Sequence, residues 1–255
     1  MLAEQRRQKI LELIQEEGSA RVKQLSGIFG VSEPTIRQDL ERLEADDYVV
    51  KSHGGAILKT VQQQVRSMSL QHLENLDRKI LIGRKAAEYI RNGDSLILDS
   101  GSTTTEIAKN LNGKQDLKII TNALNIAFLV GSNPSFELMV TGGDFKAPTL
   151  SLTGEKAAAF FGQIHVDKLF LATGGISPEL ELTYPGLSDL PVKRAMIQAA
   201  SAVYLVADST KFGRPSFASL GGIEQVDFII TDAGIPSSIR GSLEAKGVKI
   251  IVAES

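Results

Sequence analysis

The 255-residue chain contains no cysteine. That excludes a disulfide framework, a thiol nucleophile and a thiolate metal site, and it fits a reducing, cytoplasmic setting. Its three histidines stand far apart, at 53, 72 and 165. Without cysteine they offer no evident metal site, and no cofactor is expected. No apolar run approaches the roughly 20 residues that a membrane span needs. The charged, mixed start MLAEQRRQKI is unlike a secretory signal. A basic excess is missing too: the formal net charge is −2, so a nucleic-acid partner has to be met by a local patch. What remains, 42% hydrophobic and 23% charged, is an ordinary globular composition, long enough for one large domain or two unequal ones.

The first sixty residues carry a helical period. Ile10, Leu13 and Ile14 share one face of a first helix that Gly18 can stop. Ser19 is the expected N-cap of a second helix, with Val22, Leu25, Ile28 and Phe29 on one side. Gly30 suits a tight turn because it tolerates positive φ. Ser32 then caps a third helix, with Glu33 at the positive end of its dipole and Pro34 in the first turn. Ile36, Leu40 and Leu43 form the buried stripe of that helix. At about 100° per residue, Gln38 points away from it, flanked by Thr35, Arg37 and Arg42.

Two helices, a glycine turn and a capped third helix make a helix-turn-helix pattern, in which the third helix enters the major groove. Arginine and glutamine suit guanine and adenine edges, and serine or threonine suit bases or phosphates. Tyr48 to Val50 look like a strand and Gly54-Gly55 like a wing tip, which places Lys51 and His53 near the phosphate backbone. The acids at 12, 16, 17, 44, 46 and 47 fall mainly away from the recognition surface. A protein-contact module is the alternative that spacing alone leaves open. The stretch VSEPTIRQDLERLE, followed by HGGA, resembles the signature of the DeoR family of bacterial sugar-metabolism regulators. Members typically read Thr-Ile-Arg-Arg-Asp-Leu in the third helix; here Gln38 replaces the second arginine, and Lys51-Ser52 precede His53 where arginine is common. The resemblance implies double-stranded operator DNA as partner, with Ser32, Thr35, Arg37, Gln38, Arg42, Lys51 and His53 as contacts.

The sequence predicts a winged helix-turn-helix domain over 1–57 and a linker over 58–76. Val61, Val65 and Met68 have helical spacing there, with an extended arm as the alternative. A larger domain follows over 77–255. Within it SLILDS, LKIIT, FELMVTGG, DKLFLATGG, VYLVADS, DFIITD and VKIIVA read as buried strands, and DRKILIGRKAAEYIRNG and LPVKRAMIQAASA as helices between them. Such alternation implies a mainly parallel α/β sheet covered on both faces, with ligands bound beyond the carboxyl ends of its strands.

The polar groups gather at those ends. In LILDSGSTTTEIAKNL a strand ends at Asp99, Gly101 permits a turn, and Ser102, Thr103, Thr104 and Thr105 open a helix. Helix-start N–H groups with several hydroxyls suit a phosphate monoester; a plain N-cap is the bland alternative. No Gly-Lys-Ser/Thr ending follows, so this is not a nucleotide P-loop. Asn122, Asp208 and Lys211 follow other strands, and Lys211 is the leading cation for a ligand. Lys193 and Arg194 fit a solvated helix start equally well.

LDSGSTTTEIA, TNALNIA, TGG, SLTGEKA, GGI, VKRAMI, ADSTKFG and ITD resemble the DeoR C-terminal sensor domain. That domain is similar in fold to ribose-5-phosphate isomerase and glucosamine-6-phosphate deaminase. The resemblance implies a phosphorylated sugar effector held by Asp99, Gly101, Ser102, Thr103, Thr104, Asn122, Asp208 and Lys211, and a homo-oligomer, dimer or tetramer. After GGI this chain reads Ser177-Pro178 where relatives carry an acidic residue, so the pocket lid is expected to differ. The reading is a cytoplasmic repressor that binds DNA and answers to a sugar phosphate. The alternatives are a sugar-phosphate isomerase or deaminase fused to a DNA-binding domain, and a DNA-binding protein whose large domain is only a scaffold. No catalytic residue is assigned: a general base near the reacting carbon is needed, and the histidines fall in the wing, the linker and the wrong end of a strand.

Overall fold

The computed structural model describes residues 2–46, 48–58 and 72–254. Val61, Val65 and Met68, and with them the expected connecting helix, lie outside the described residues. The described residues group into two compact units, one up to residue 58 with 146–149, the other over 72–145 and 150–254.

In the first unit α1 (Ala3–Glu17) ends at Gly18, α2 (Val22–Phe29) ends at Gly30, and α3 (Glu33–Ala45) follows. Both glycines take positive φ, 76° and 62°, where a side chain would be strained. Ile10, Leu13 and Ile14 of α1, Val22 and Leu25 of α2, and Ile36, Leu40 and Leu43 of α3 close one core. Ser19 does not cap the second helix as expected. Ser19–Arg21 forms strand β1, with Ala20 turned inward between exposed neighbours. It pairs antiparallel with β3 (Gly55–Leu58), which also pairs with β2 (Val49–Ser52). The backbone groups that a cap would have satisfied are met by a third strand instead. Gly54 makes the β2–β3 turn at φ 81°, while Gly55 serves close approach: a Cβ there would lie 2.2 Å from the Ala20 carbonyl oxygen. Leu58, assigned by sequence to the linker, is the buried last residue of β3, paired with Val49.

The second unit is built on seven strands: β4 (Ser95–Leu98), β5 (Lys118–Thr121), β6 (Glu137–Val140), β9 (Val166–Leu171), β12 (Ala200–Val206), β14 (Phe228–Asp232) and β15 (Lys249–Ala253). They are the seven apolar runs read from the sequence. All adjacent pairs are parallel, in the order β15-β14-β12-β9-β4-β5-β6. Successive side chains alternate between two cores. Ile97, Leu169, Leu171, Val203 and Leu205 enter one, and Leu96, Leu98, Phe170, Tyr204 and Val206 the other. Burial on both faces is why the inner strands read as unbroken apolar runs, while edge strand β6 is only partly covered. Two small antiparallel sheets were not foreseen. One pairs β7 (Asp144–Lys146) with β8 (Ser151–Thr153); the other orders β10 (Gly175–Ile176), β11 (Glu181–Tyr184) and β13 (Ala218–Gly222) as β10-β11-β13. The GGI segment therefore opens a hairpin.

The chain order places one switch point. From β4 the sheet grows through β5 to β6 on one side, and from β9 through β12 and β14 to β15 on the other. Connections leaving β4 and β9 diverge and open a crevice at their carboxyl ends.

Candidate nucleic-acid interface and effector cleft

Helix α3 starts on a side-chain cap: the Ser32 hydroxyl accepts from the Thr35 N–H at 3.4 Å and lies 2.8 Å from the Thr35 hydroxyl. Arg37, Gln38 and Arg42 are exposed along the helix, and Lys51, Ser52 and His53 along the wing. Arg37 reaches Glu33 at 3.3 Å one turn back. The Lys51 ammonium sits between Glu41 at 3.4 Å and Glu44 at 3.3 Å. The Lys51 N–H also bonds Glu44 at 2.9 Å, which holds that carboxyl below its ordinary value.

Sequence reasoning passed over Asp39. It is 3% exposed in the middle of α3, and the Arg6 guanidinium holds both its oxygens, at 2.6 and 3.2 Å. This pair pins α1 to the recognition helix.

At the switch point Asp99 follows β4 and is fully buried. One oxygen accepts from the Ser100 N–H at 2.7 Å and from the Lys193 ammonium; the other accepts from the Ala172 N–H, just past β9, at 2.9 Å. Burial pushes the Asp99 carboxyl up from its ordinary value, against the pull of Lys193. Lys193 is 3% exposed. It also donates to the Ser100 hydroxyl at 3.3 Å and lies 5.4 Å from the centre of the Tyr184 ring. The Tyr184 hydroxyl donates to the Ala172 carbonyl at 2.7 Å. The sequence had left Lys193 between a solvated position and a ligand contact. It is neither solvated nor free, whereas Arg194 beside it is exposed.

Asn122, after β5, supports the same loop: its carbonyl oxygen accepts from the Ser100 N–H at 3.1 Å and its amide donates to the Leu152 carbonyl at 3.1 Å. The chain bends at Ser100 and Gly101, as expected. The Gly101 backbone is extended, with φ 169°, and the role of the residue is steric: a Cβ would lie 2.6 Å from the Ala172 methyl. Helix Ser102–Lys109 follows. The Thr104 and Thr105 hydroxyls donate back to the Gly101 carbonyl at 2.9 and 2.7 Å. Hence Thr104, expected as a ligand contact, spends its hydroxyl on the helix start. Ser102 is half-buried and Thr103 buried. The first N–H groups of a helix have no partner within it.

Asp208 and Lys211 belong to a second group, beyond β12. Asp208 caps its own turn, accepting from the Thr210 N–H at 3.0 Å and from the Thr210 hydroxyl. Lys211 is half-buried and close enough to Lys79 to depress it: burial first, then Lys211, lower the Lys79 ammonium, while Asp208 opposes them. Lys79 lies on helix Leu76–Glu88 and is 4% exposed. It was missed by the sequence reading. Nearby Arg78 donates to the Ser209 hydroxyl at 2.7 Å. Asp232, the last residue of β12's neighbour β14, accepts from the Ser209 N–H at 2.6 Å.

The histidines also have their places. His53 is in the exposed wing turn and His165 is exposed at the amino end of β9. His72, set in the linker by sequence, is in the second unit. Burial lowers it first, then the Lys79 charge. Among the described residues no cluster could hold a metal ion, and no helix is long and apolar enough to cross a membrane.

A capped helix with a polar outer face beside a hairpin, and a parallel sheet with its polar residues at the carboxyl edge, match two family models in the same order. The DeoR-like helix-turn-helix domain covers residues 6–62 and the DeoR C-terminal sensor domain residues 74–233. The chain belongs to the DeoR family. The regulator GlpR of Haloferax volcanii is 32% identical over 251 residues, spanning 98% of each chain. The glycerol-3-phosphate regulon repressor of Escherichia coli is 33% identical over 237 residues, spanning 92% of this chain and 93% of that one. Among solved structures, ribose 5-phosphate isomerase A of Methanocaldococcus jannaschii shares 15% identity over 54% of this chain and 55% of its own, with a TM-score of 0.39. This DeoR-family chain is a DNA-binding transcription regulator with a sugar-type sensor domain.

Proposed function

We propose that the protein is a cytoplasmic repressor of a carbohydrate operon, released from operator DNA by a phosphorylated sugar. Ser32, Thr35, Arg37, Gln38 and Arg42 of α3 meet the major groove, with Lys51 and His53 of the wing on the phosphates. The observation that carries the effector reading is the helix start at Ser102 and Thr103, at the carboxyl end of β4; Lys211, whose charge lowers the buried Lys79, adds positive charge beyond β12. Helix-start N–H groups supply oriented donors to an anion, and nearby lysine charge favours its ionised form. The name of the Escherichia coli relative supports a phosphate ester.

The other expected residues take supporting parts in this reading. Asp99 and Asn122 hold Ser100, Thr104 holds the helix start, and Asp208 holds the turn that carries Lys211. Both carboxylates at the cleft are thereby committed to fixed donors, which favours binding over general-base chemistry. The protein acts as a homo-oligomer, because two recognition helices must match two half-sites.

A thermal-shift screen of phosphorylated sugars, each beside its unphosphorylated parent, tests this. A ligand that binds only the folded state raises its apparent stability. The expected result is a rise with one sugar phosphate and none with its parent, lost in Ser102→Asp. A rise with the parent alone, or none across the panel, defeats the phosphate reading.

A further inference from the structure

The Asp99–Lys193 pair lies at the switch point, where the connections after β4 and β9 diverge. We infer that Lys193, neutralised in place by Asp99, selects the effector's far end as an uncharged hydroxyl or carbonyl group and rejects a carboxylate. This rests on the phosphate reading above. Lys193 has three N–H donors, directed to Asp99, to the Ser100 hydroxyl and to the Tyr184 ring face. Ser100 and Ser102 are half-buried, so the loop after β4 is partly accessible beside the buried ammonium. A ligand oxygen entering there replaces the Ser100 hydroxyl as the ammonium's acceptor. Asp99 cannot swing out to meet it: its oxygens are fixed by the Ser100 and Ala172 N–H groups and it is wholly buried.

The charge balance sets the preference. Asp99 and Lys193 together are neutral. An incoming hydroxyl or carbonyl accepts from the ammonium and leaves that balance intact. An incoming carboxylate leaves a net negative charge in a buried site beside Asp99, which is costly in a low-dielectric interior. A lysine without its aspartate would show the opposite preference. The effector class is therefore a neutral sugar or polyol phosphate, not the phosphate of a sugar acid.

The test measures dissociation constants of the full-length protein for matched pairs of aldose phosphate and aldonate phosphate of three to six carbons. Glyceraldehyde 3-phosphate with 3-phosphoglycerate and glucose 6-phosphate with 6-phosphogluconate are the end members, and inorganic phosphate is the reference. The expected result is that the best-binding chain length favours its aldose at least tenfold. In Asp99→Asn that ratio falls at least tenfold, and in Lys193→Met the aldose loses its advantage over inorganic phosphate. An aldonate that binds wild type as tightly as its aldose overturns the inference, as does a ratio unmoved in a folded Asp99→Asn. Binding of inorganic phosphate with no gain from any sugar also overturns it. Failure of inorganic phosphate itself to bind defeats the phosphate reading instead. The wild-type ratio decides the matter even where a variant does not fold.

Discussion

A methyl group at position 101 has nowhere to go. It would stand 2.6 Å from the Ala172 methyl and 3.2 Å from the Thr104 hydroxyl, so Gly101→Ala is expected to cost about 1–3 kcal/mol through overpacking. Ala172→Gly in the same chain should restore most of that, read as the midpoint of chemical denaturation; no recovery would point to a backbone requirement instead. Arg37→Ala argues the other way. Its ion pair with Glu33 is exposed and worth about 0.5 kcal/mol or less, so stability should hold. Operator affinity should fall by about 1–3 kcal/mol if the guanidinium reads a base, and an unchanged binding isotherm would remove it from the interface. Lys79→Met should raise the titration midpoint of His72, because the Lys79 charge lowers it; NMR of the imidazole reads this, and an unmoved midpoint would leave burial and the Lys109 charge as the causes. At this scale the sequence showed exposed candidates better than buried ones. Asp39, Lys79 and Lys193 were passed over or left undecided, yet each falls on the apolar stripe of its helix: beside Ile36, Leu40 and Leu43; beside Ile82, Gly83 and Ala86; between Leu190 and Met196. A charge on such a stripe has to find a partner. That signal was in the spacing, but the identity of the partner depends on which elements meet.

Between elements the Arg6–Asp39 pair is the test case. Removing one partner of a buried pair leaves an uncompensated charge, so Asp39→Ala should destabilise the first unit by about 3 kcal/mol. Replacing both, with Arg6→Met and Asp39→Leu, should cost less than either single change. Additive losses, measured by thermal unfolding of the four proteins, would show that the two side chains act independently. The elements themselves were legible for a physical reason. Strands of a covered sheet leave short continuous apolar runs even at its partly covered edges β6 and β15, and helices leave a 3.6-residue period, so all seven sheet strands and α1 and α3 could be read directly. Strand β1 could not. Three residues carry almost no period, and Ser19 is as good a cap as it is a strand residue; only the pairing of Ala20 with Ala56 decides. The hairpin after Gly175 was hidden in the same way: its pairing partner, β13, lies more than thirty residues further along the chain.

In the whole molecule, the proposed function requires effector and operator to be linked through a single free energy. The effector shifts the regulator only by as much as it prefers one arrangement over another. Whatever factor a sugar phosphate takes from operator affinity, operator DNA must take from sugar-phosphate affinity. Couplings of this kind are typically about 1–3 kcal/mol, or roughly 5- to 150-fold. The expected outcome is therefore two equal ratios: operator dissociation constants with and without saturating effector, and effector dissociation constants with and without a saturating operator duplex. Salt has to be held fixed across all four measurements, because contacts to DNA phosphates make protein–DNA affinity fall steeply with ionic strength. The comparison separates two explanations that a repression assay alone would merge. Equal ratios above one mean that the cleft and the recognition helix share an equilibrium. Effector binding that is tight but indifferent to DNA would leave the sensor unit occupied and uncoupled, and release from the operator would then need another cause.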